Sequence, residues 1–484
     1  MKIFFPILLF VSNLLLAQSP PGLALIKEAD LKKDVYDMCE PFFRGRGGGT
    51  IDELNASIWL AEKFRSLGIQ PAGDHGTYFQ YFNLWRNVIS ERSSISINGN
   101  LMQMWKEVAV SQMANVNLEG SILFLGDALT VDTSADVKGK IVAIAANAKG
   151  ISLDVSLPTW RYNRYIFARY GAPFIRRGAL AVIFIADDVE ENAWEDAAEN
   201  FKRGTYDIEG GPTVTVTATA PVIWVRKSMG PEIERGASIN AKLIVTNFQY
   251  PSVNVVGVIS GTDAKLKSEY LLLSSHIDAH GIRNPVQGDS IYYGADDNAS
   301  VTAAMLASAR AYKKYPPKRS VLIVIHGSEE RGLLGSRYYS SHPTIPISSI
   351  VAVLNGDMIG RNHPDSATIL GVMKPHRNST ELVNMAIAAN SEGPKFFIDS
   401  TWDAVSHVEG WYFRSDHLPY ARLGVPALMY TTLLHPDYHT PLDNPQNINY
   451  AKLKKMADWI YRTGWKVANA PARPSIDNGF KLER

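Results

Sequence analysis

Glu329 and Glu330 stand side by side directly after an apolar run, SVLIVI at residues 320–325. Such a run is typical of a buried strand, and a buried carboxylate is costly unless it is paired or binds a metal. An isolated pair of acids would instead indicate a solvated start of a helix, where negative charge is favoured. The residues that follow the other apolar runs decide between these two interpretations.

Three further apolar runs are also followed by potential ligands: His276 and Asp278 after residues 269–275, Asp357 after residues 349–355, and His435 and His439 after residues 425–431. Asp296 and Asp297 come just before a predicted helix at residues 299–315. Solvated acids and histidines would have no reason to follow apolar runs in this way. We therefore expect these side chains to form one site.

The alternation of apolar runs with helical stretches predicts the elements that position these side chains. Near-continuous apolar runs are typical of parallel strands buried on both faces. We predict an α/β fold, with a mixed, mostly parallel sheet flanked by helices. Active sites of such sheets form outside the carboxyl ends of the strands, which is where the candidate residues lie.

The residue types favour a metal site. Imidazole and carboxylate are ligands of zinc and related divalent ions. Cys39 is the only cysteine, so neither a cysteine-based zinc site nor an intramolecular disulfide can form. The carboxylates of Asp296, Glu330 and Asp357, with one bridging hydroxide, would balance the charge of two divalent cations.

The bulk composition narrows the function. The chain has 484 residues, a length that predicts two or three domains. Lys and Arg together number 49 and Asp and Glu 48, without the basic excess of a nucleic-acid binder. We therefore expect no nucleic-acid partner.

The amino terminus, MKIFFPILLFVSNLLLAQSPPG, has the layout of a secretory signal peptide ending at Ala17. The alternative is a transmembrane anchor, but the apolar stretch is shorter than the roughly 20 residues that span a bilayer. We predict an exported protein, periplasmic or secreted. After signal cleavage we expect no stable membrane insertion.

Six segments follow in order over about residues 254–470: HID, GADDNAS, GSEERGLLGS, LNGDMIGR, RSDHLPYARLGVPALMY and DYHTPLDN. Together they resemble the M28 family of co-catalytic zinc peptidases. FRGRGGGT and AEKFRSLGIQPAGDHGTYFQYF resemble the amino-terminal part of the same domain. DVKGKIVAI and RRGALAVIFIAD lie in a β-rich stretch that resembles a protease-associated (PA) domain.

The resemblance implies a division of the chain: a signal peptide at 1–17, the first part of the peptidase domain at 18–104, a β-rich PA-like insert at 105–248, the main part of the peptidase domain at 249–470, and a tail at 471–484. It also implies two zinc ions per chain, with peptides as substrates.

The resemblance assigns a role to each candidate residue: His276 and Asp357 bind one zinc, Glu330 and His439 bind the other, Asp296 bridges them, Glu329 is the general base, Asp278 orients His276, and Tyr438 stabilises the oxyanion. It further implies a cis peptide between Asp296 and Asp297. We expect His417 to be structural, and His280 and His435 to be rim residues rather than ligands.

The chain departs from the family pattern at three places. Val301 replaces a common glycine, Ala279 and His280 replace a small polar residue, and Gly356 replaces a Leu or Met. All five expected ligands are present, so these departures affect the shape of the pocket and not the chemistry.

We predict an exported dinuclear zinc exopeptidase, specifically an aminopeptidase. The alternatives are a glutamate-carboxypeptidase-like exopeptidase, a glutaminyl cyclase with one zinc, and a non-catalytic binding protein on the same scaffold.

The expected cleft has acidic and basic residues in near balance. The acids are Asp278, Asp297, Glu329 and Asp437, and the bases are Arg283, Arg331, Arg361 and Arg414. Arg414 is the base best placed to bind a C-terminal carboxylate instead. The sequence leaves the oligomeric state open.

Overall fold

A computed structural model describes residues 19–132 and 134–482. The predicted signal peptide lies outside the described residues. The helices of the described part are α1 Glu28–Met38, α2 Ile51–Ser66, α3 Pro158–Ile166, α4 Ala172–Arg176, α5 Asp188–Asn192, α6 Trp194–Lys202, α7 Gly230–Glu234, α8 Val301–Lys314, α9 Leu334–Ser341, α10 Thr380–Glu392, α11 His417–Arg422 and α12 Tyr450–Asn469.

The strands of the described part are β1 Gln70–Pro71, β2 Phe79–Ile89, β3 Ser94–Ile97, β4 Asn100–Leu101, β5 Val108–Gln112, β6 Val116–Asp127, β7 Ile141–Ala145, β8 Ala181–Ile185, β9 Thr205–Ile208, β10 Val222–Val225, β11 Ser238–Leu243, β12 Val245–Ile259, β13 Tyr270–His276, β14 Gly281–Val286, β15 Asp289–Tyr292, β16 Ser320–His326, β17 Ile350–Gly356, β18 Ser366–Leu370, β19 Phe397–Ile398 and β20 Ala427–Thr431.

The main sheet has the strand order β19-β18-β20-β17-β13-β16-β12-β2-β9, with β1 paired to β12. Its centre, β20-β17-β13-β16, is parallel. On one side β12, β2 and β9 add antiparallel pairs, and on the other β18 is antiparallel to β20. The predicted mixed α/β fold is confirmed, and its parallel pairs are those of the four central strands and the edge pair β18-β19.

The parallel centre consists of the four apolar runs identified in the sequence. β16, β17 and β20 are buried along their whole length. α1, α8 and α12 pack together on one face, while α9 and α11 cover the other. Burial on both faces explains why these strands lack the alternation of a half-exposed sheet.

Two departures from the family pattern compensate each other at the start of α8. A Cβ atom at Gly356 would lie 2.5 Å from Cγ1 of Val301. The valine side chain therefore fills the space that a larger residue at position 356 would need. Both residues are fully buried beneath the strand ends, so the exchange preserves the packing there.

A second sheet, with the order β4-β3-β11-β6-β7-β8-β10-β5, lies between β2 and β12 in the chain. We call residues 90–244 the insert and the remaining described residues the body. The second sheet starts at Ser94, upstream of the expected boundary at residue 105. Strand β9, at Thr205–Ile208, lies within the insert in the sequence but pairs with β2 of the main sheet.

Apolar cores cover both faces of the second sheet. The insert joins the body through the long antiparallel pairing of β2 with β12, which runs from Phe79 to Ile89. Across the described residues, no helix combines the length and apolar character needed to cross a bilayer.

Candidate metal centre

The candidate residues meet at the carboxyl end of the parallel centre, as predicted. His276 is the last residue of β13, and Asp357 follows β17 directly. Glu329 and Glu330 form a 3₁₀ turn after β16, and His439 lies in the loop after β20. Parallel strands end at the same edge of a sheet, which brings these distant parts of the chain together.

The described residues contain two groups of potential ligands. The ligating atoms of His276, Glu329 and Asp357 lie within 4.8 Å of one another. Those of His280, Glu330 and His439 form a second group within the same limit.

Asp297 connects the two groups. Its Oδ1 lies 3.3 Å from Nε2 of His276, and its Oδ2 lies 3.2 Å from Nε2 of His439. A carboxylate with one oxygen facing each group has the arrangement of a bridging ligand.

The prediction that Asp296 is the bridging residue is wrong in this geometry. Oδ1 of Asp296 accepts a hydrogen bond from the amide of Gly360 at 2.6 Å, and its Oδ2 lies 3.6 Å from Nε2 of His435. The cis peptide is also one position later, between Asp297 and Asn298. Adjacent side chains of this turn point in different directions, so only one of the two acids faces the cluster.

Asp443 fixes the turn that carries Asp297. Its two carboxylate oxygens accept hydrogen bonds from the backbone amides of Asp296, at 2.8 Å, and of Asp297, at 3.1 Å. Burial raises the pKa of Asp443 to about 8. We did not predict this role, although Asp443 belongs to the DYHTPLDN motif.

The buried polar atoms of the cluster fit a metal centre. Nε2 of His276, Oε1 of Glu330 and both ring nitrogens of His280 have no hydrogen-bond partner within the described residues. Buried polar atoms are nearly always satisfied, and leaving them unpaired is costly. Imidazole and carboxylate groups that face one another in this way have the donor set that divalent zinc prefers.

The pKa values of the acidic side chains in the cluster are shifted by their burial close to one another and to the histidines. Burial raises the pKa of Glu329 and of Asp357 well above the usual range. Burial also opposes the ionisation of Asp297, but the imidazoles of His276 and His439 that face its carboxylate outweigh burial and hold its pKa well below normal. A cation among these groups would favour their charged forms.

Asp278 positions both His276 and the pair of glutamates. Its carboxylate lies 3.7 Å from Nδ1 of His276. The same carboxylate accepts hydrogen bonds from the amides of Glu329, at 2.9 Å, and of Glu330, at 3.2 Å. Asp278 therefore fixes the backbone of the turn as well as facing the histidine.

Glu53 supports the same turn from the amino-terminal part of the body. Its carboxylate accepts hydrogen bonds from the amides of Ser328, at 2.7 Å, and of Gly49, at 2.8 Å. Ser328 has a φ of 52°, a left-handed conformation that such contacts stabilise. This contact could not be predicted from the sequence, because Glu53 and Ser328 are 275 residues apart in the chain.

Tyr438 is held by Arg414, which is itself neutralised. Nη2 of Arg414 donates to Oη of Tyr438 at 3.0 Å, and Nη1 donates to Oε2 of Glu409 at 2.9 Å. Nη1 also donates to Oγ of Ser156 at 2.9 Å. Arg414 therefore already has a carboxylate partner and is not free for the carboxylate of a substrate.

Glu409 links this tyrosine to the insert. It accepts hydrogen bonds from the amide of Ser156, at 2.8 Å, and from Nη2 of Arg161, at 2.6 Å. Both partners belong to the insert, and Glu409 is 7% exposed. The insert thus contacts the candidate catalytic residues through a buried ionic cluster.

The other histidines occupy different surroundings. His417 is buried against the ring of Tyr412, with centroids 4.8 Å apart, and it belongs to neither ligand group. His435 faces Asp296 and lines the cleft. His280 lies deeper than a rim position, because its Nε2 is 3.3 Å from Oε2 of Glu330.

The cluster lies at the bottom of a cleft of about 1380 Å³ between body and insert. Leu157, Trp194 and Arg203 line it from the insert, and Arg283, Trp411 and Tyr438 line it from the body. A cleft of this size accommodates a short peptide.

The fold and the buried cluster together define the class of α/β proteins with a candidate metal centre at the carboxyl edge of the sheet. Residues 254–463 match the sequence model of Peptidase family M28. The predicted resemblance is therefore confirmed for the peptidase domain.

Known proteins with similar sequences or structures agree with this class. Aminopeptidase YwaD of Bacillus subtilis (strain 168) is 24% identical over 261 residues, which cover 52% of this chain and 53% of that protein. The chain therefore matches about half the length of this curated relative.

Two solved structures share the fold over nearly the whole chain. The aminopeptidase from Aneurinibacillus sp. strain AM-1 has a TM-score of 0.61 at 18% identity, covering 94% of this chain and 97% of that one. A zinc aminopeptidase from Bacillus subtilis has a TM-score of 0.58 at 18% identity, covering 94% and 99%.

Proposed function

We propose that the protein is an exported dinuclear zinc aminopeptidase that releases residues from the free amino ends of peptides. The observation that carries the proposal is the carboxylate of Asp297, which faces His276 with one oxygen and His439 with the other. The aminopeptidase and zinc aminopeptidase named above support the same activity and metal for this chain.

In this proposal His276 and Asp357 hold one zinc ion, Glu330 and His439 hold the other, and Asp297 takes the bridging role first given to Asp296. His280 faces Glu330 at 3.3 Å and is a further potential ligand of the second ion. When bound, the two ions supply Lewis-acid activation of the scissile carbonyl and of the attacking water.

Glu329 is the general base. Its carboxylate accepts a proton from the attacking water and passes it to the nitrogen of the leaving amine. Burial raises the pKa of Glu329, which favours its acceptance of the proton from water. Asp278 keeps the carboxylate in place, because it accepts a hydrogen bond from the amide of Glu329.

Tyr438 stabilises the negative charge that develops on the carbonyl oxygen. Its Oη accepts a hydrogen bond from Arg414, so its own proton is free to be donated to the substrate. A donor that is aimed before the reaction starts stabilises the transition state without reorganisation.

The arginines of the cleft also favour an aminopeptidase over a carboxypeptidase at this position. Arg414 pairs with Glu409, and Arg361 pairs with Asp437. The first pair removes a base that could have bound a substrate carboxylate, whereas the second pair removes one base together with one of the four acids, Asp437. The negative charge around the cluster then favours a substrate ammonium group.

We further infer that the insert is a PA-like domain and that it forms the upper wall of the cleft. Its sheet, its two cores and its position between β2 and β12 support this division of the chain. Export rests on the amino-terminal sequence.

The proposal is tested with the tripeptide Leu-Gly-Gly, its N-acetylated form and its C-terminal amide. The protein is stripped of metal with a chelator and then titrated with zinc. We expect cleavage of the free peptide and of the amide, no cleavage of the acetylated form, and full activity at two zinc ions per chain.

Cleavage of the acetylated peptide together with rejection of the amide would show a carboxypeptidase instead. Full activity at one zinc ion per chain, with cyclisation of an amino-terminal glutamine, would show a glutaminyl cyclase.

A further inference from the structure

Three arginines line the cleft on the side of the second ligand group: Arg203, Arg283 and Arg331. Arg203 follows α6 of the insert, Arg283 lies on β14, and Arg331 ends the turn that carries the two glutamates. Three distant segments therefore bring guanidinium groups to one wall of the cleft.

Two of these arginines lack a carboxylate partner. Neither Arg203 nor Arg331 forms an ion pair within the described residues, whereas Arg414 and Arg361 each do. Nε and Nη1 of Arg331 are buried and have no hydrogen-bond partner in the described part of the chain. The guanidinium of Arg331 lies over the ring of Tyr206, 5.3 Å from its centroid, which fixes its plane.

Arg283 is only partly neutralised. Its Nη2 donates to Oδ1 of Asn200 at 2.7 Å and lies 3.6 Å from Oδ1 of Asp196. Because the side chain of Asp196 is 59% exposed, water screens this pair. Arg283 therefore adds to the positive charge of the wall.

The three arginines act on one another and on the cluster. Burial and the charge of Arg283 lower the pKa of Arg203. The pKa of His280 is lowered mainly by burial, then by the charge of His439, and then by the charges of Arg283 and Arg203. The three arginines line the same cleft as His280, Glu330 and His439 of the second ligand group.

A partly buried guanidinium without a counter-ion is costly, and neither Arg203 nor Arg331 has one among the described residues. Arginine presents a planar array of donors that matches the two oxygens of a carboxylate. Both side chains line the cleft, and the guanidinium of Arg331 is held in place by Tyr206.

We propose that Arg203 and Arg331, supported by Arg283, form a subsite that binds a carboxylate of the peptide substrate close to the scissile bond. The inference rests on the proposed function and deepens it, since the preferred substrate becomes a short peptide with a free amine at one end and a carboxylate near the other. That carboxylate is either the C-terminus of a dipeptide or the side chain of an acidic second residue.

The first test compares Leu-Ala, Leu-Ala amide and Leu-Glu amide on the zinc-loaded enzyme. Hydrogen bonds to charged groups correspond to about a 10–100-fold effect on binding. We expect kcat/KM for Leu-Ala to exceed that for its amide by about this factor. If Leu-Glu amide recovers the loss, the subsite also accepts an acidic side chain; if it does not, the subsite reads the C-terminus alone.

The second test uses Arg203→Gln and Arg331→Gln. Each substitution should reduce the ratio of kcat/KM for acid over amide several-fold. The matched control is Lys202→Gln, which removes an exposed positive charge from the neighbouring position and should leave the ratio unchanged. Metal content is measured for Arg331→Gln, because Arg331 adjoins Glu330; Arg203 lies on a separate segment and gives an independent result.

The third test measures binding without turnover. The zinc-loaded Glu329→Gln variant is titrated with the same three peptides in a calorimeter, alone and combined with Arg203→Gln. We expect the acid to bind more tightly than the amide, and the difference to shrink in the double variant.

The subsite proposal would be overturned if Leu-Ala and its amide showed equal kinetics and equal binding. It would also be overturned if the ratio of kcat/KM for acid over amide were unchanged in both arginine variants. This failure is distinct from a failure of the proposed function. An enzyme that requires a free amine but ignores the carboxylate remains an aminopeptidase, whereas cleavage of N-acetylated peptides contradicts the aminopeptidase itself.

Discussion

The two sides of the cleft are built in different ways. On the body side, several candidate ligands lie at or just after the ends of buried strands, Asp297 lies in the turn before α8, and backbone contacts such as those of Asp278 and Asp443 fix the turns. On the insert side, Ser156 and Arg161 reach the site through Glu409, which is 253 residues from Ser156 in the chain.

This difference separates the residues proposed to carry out the reaction from those that shape substrate preference. The body side carries the groups that we propose to hold metal and move protons, and its geometry is set by the sheet. The insert side carries Arg203 and contacts Glu409 through Ser156 and Arg161, and these residues shape the cleft without entering the ligand groups. Substitutions of the proposed ligands and base should therefore lower turnover on every substrate, and those at the arginine wall or the insert contacts should have smaller effects.

The largest effect is expected for Asp297→Asn. The change weakens a group that faces both His276 and His439, so both metal occupancy and turnover should fall. We expect the loss of kcat to exceed the roughly 10²–10⁴-fold typical of losing a general base. Metal analysis of the purified protein, together with kcat, checks this.

The matched control is Asp296→Asn, one position earlier in the same turn. It changes a buried acid that faces Gly360 and His435, so it should retain far more metal than Asp297→Asn. A larger metal loss in the Asp296 variant would restore Asp296 as the bridging residue.

The next effect is that of Glu329→Gln. It removes a base and retains the shape of the side chain, so the protein should keep its metal and lose about 10²–10⁴-fold in kcat. Metal content and kcat are measured on the same preparation. Near-normal turnover with normal metal content would exclude Glu329 as the base.

The body side was largely predictable from the sequence for a physical reason. Continuous apolar runs indicate strands buried on both faces, and the residues just after such strands share one edge of the sheet. His276, Asp357 and the pair of glutamates were found in this way. The choice between Asp296 and Asp297 could not be made in this way, because strand periodicity does not say which way each side chain of an irregular turn points.

The insert side and the supporting contacts were not predictable in this way. Glu53 reaches Ser328, and Arg161 reaches Glu409, only once the chain is folded. The compensation between Val301 and Gly356 was visible as two separate departures from the family pattern, but their relation depends on a distance. The depth of His280 likewise follows from the packing of His439 beside it, with ring centroids 3.9 Å apart.

A third substitution, Glu409→Gln, tests whether the insert positions Tyr438. It weakens the pairing with Arg161 and Arg414, so Arg414 should hold Tyr438 less firmly. We expect kcat to fall about tenfold on all peptides, the lower range of effects reported for supporting residues, with KM changed less than kcat. Steady-state kinetics on an acid and an amide peptide measure this.

The control for Glu409→Gln is Arg164→Gln, which changes an exposed arginine one turn along α3 from Arg161. It should leave kcat unchanged. An unaltered kcat in the Glu409 variant would mean that the insert does not act through Tyr438. A selective loss on the acid peptide would connect Glu409 to the carboxylate subsite instead.

The smallest effect on activity, and a distinct effect on stability, is expected for Glu190→Gln in the insert. Glu190 is 1% exposed, neither of its carboxylate oxygens has a partner among the described residues, and burial raises its pKa to about 8. A pKa raised by folding means that the folded protein binds the proton more tightly than the unfolded chain. Its stabilising effect is therefore greatest below the usual pKa of a glutamate and is lost as the pH rises toward 8.

We accordingly expect the unfolding temperature of the insert to fall as the pH rises from 5 to 8. This range lies between the usual glutamate pKa of about 4.5 and the folded-state pKa of about 8. Glu190→Gln should reduce this dependence and raise stability at pH 8 by about 2 kcal/mol. Calorimetry at several pH values measures both, with the exposed Glu234→Gln as the control. Because Glu190 lies outside the ligand groups, kcat should stay unchanged in Glu190→Gln. A fall in kcat would show that the packing of the insert also affects the chemistry of the body.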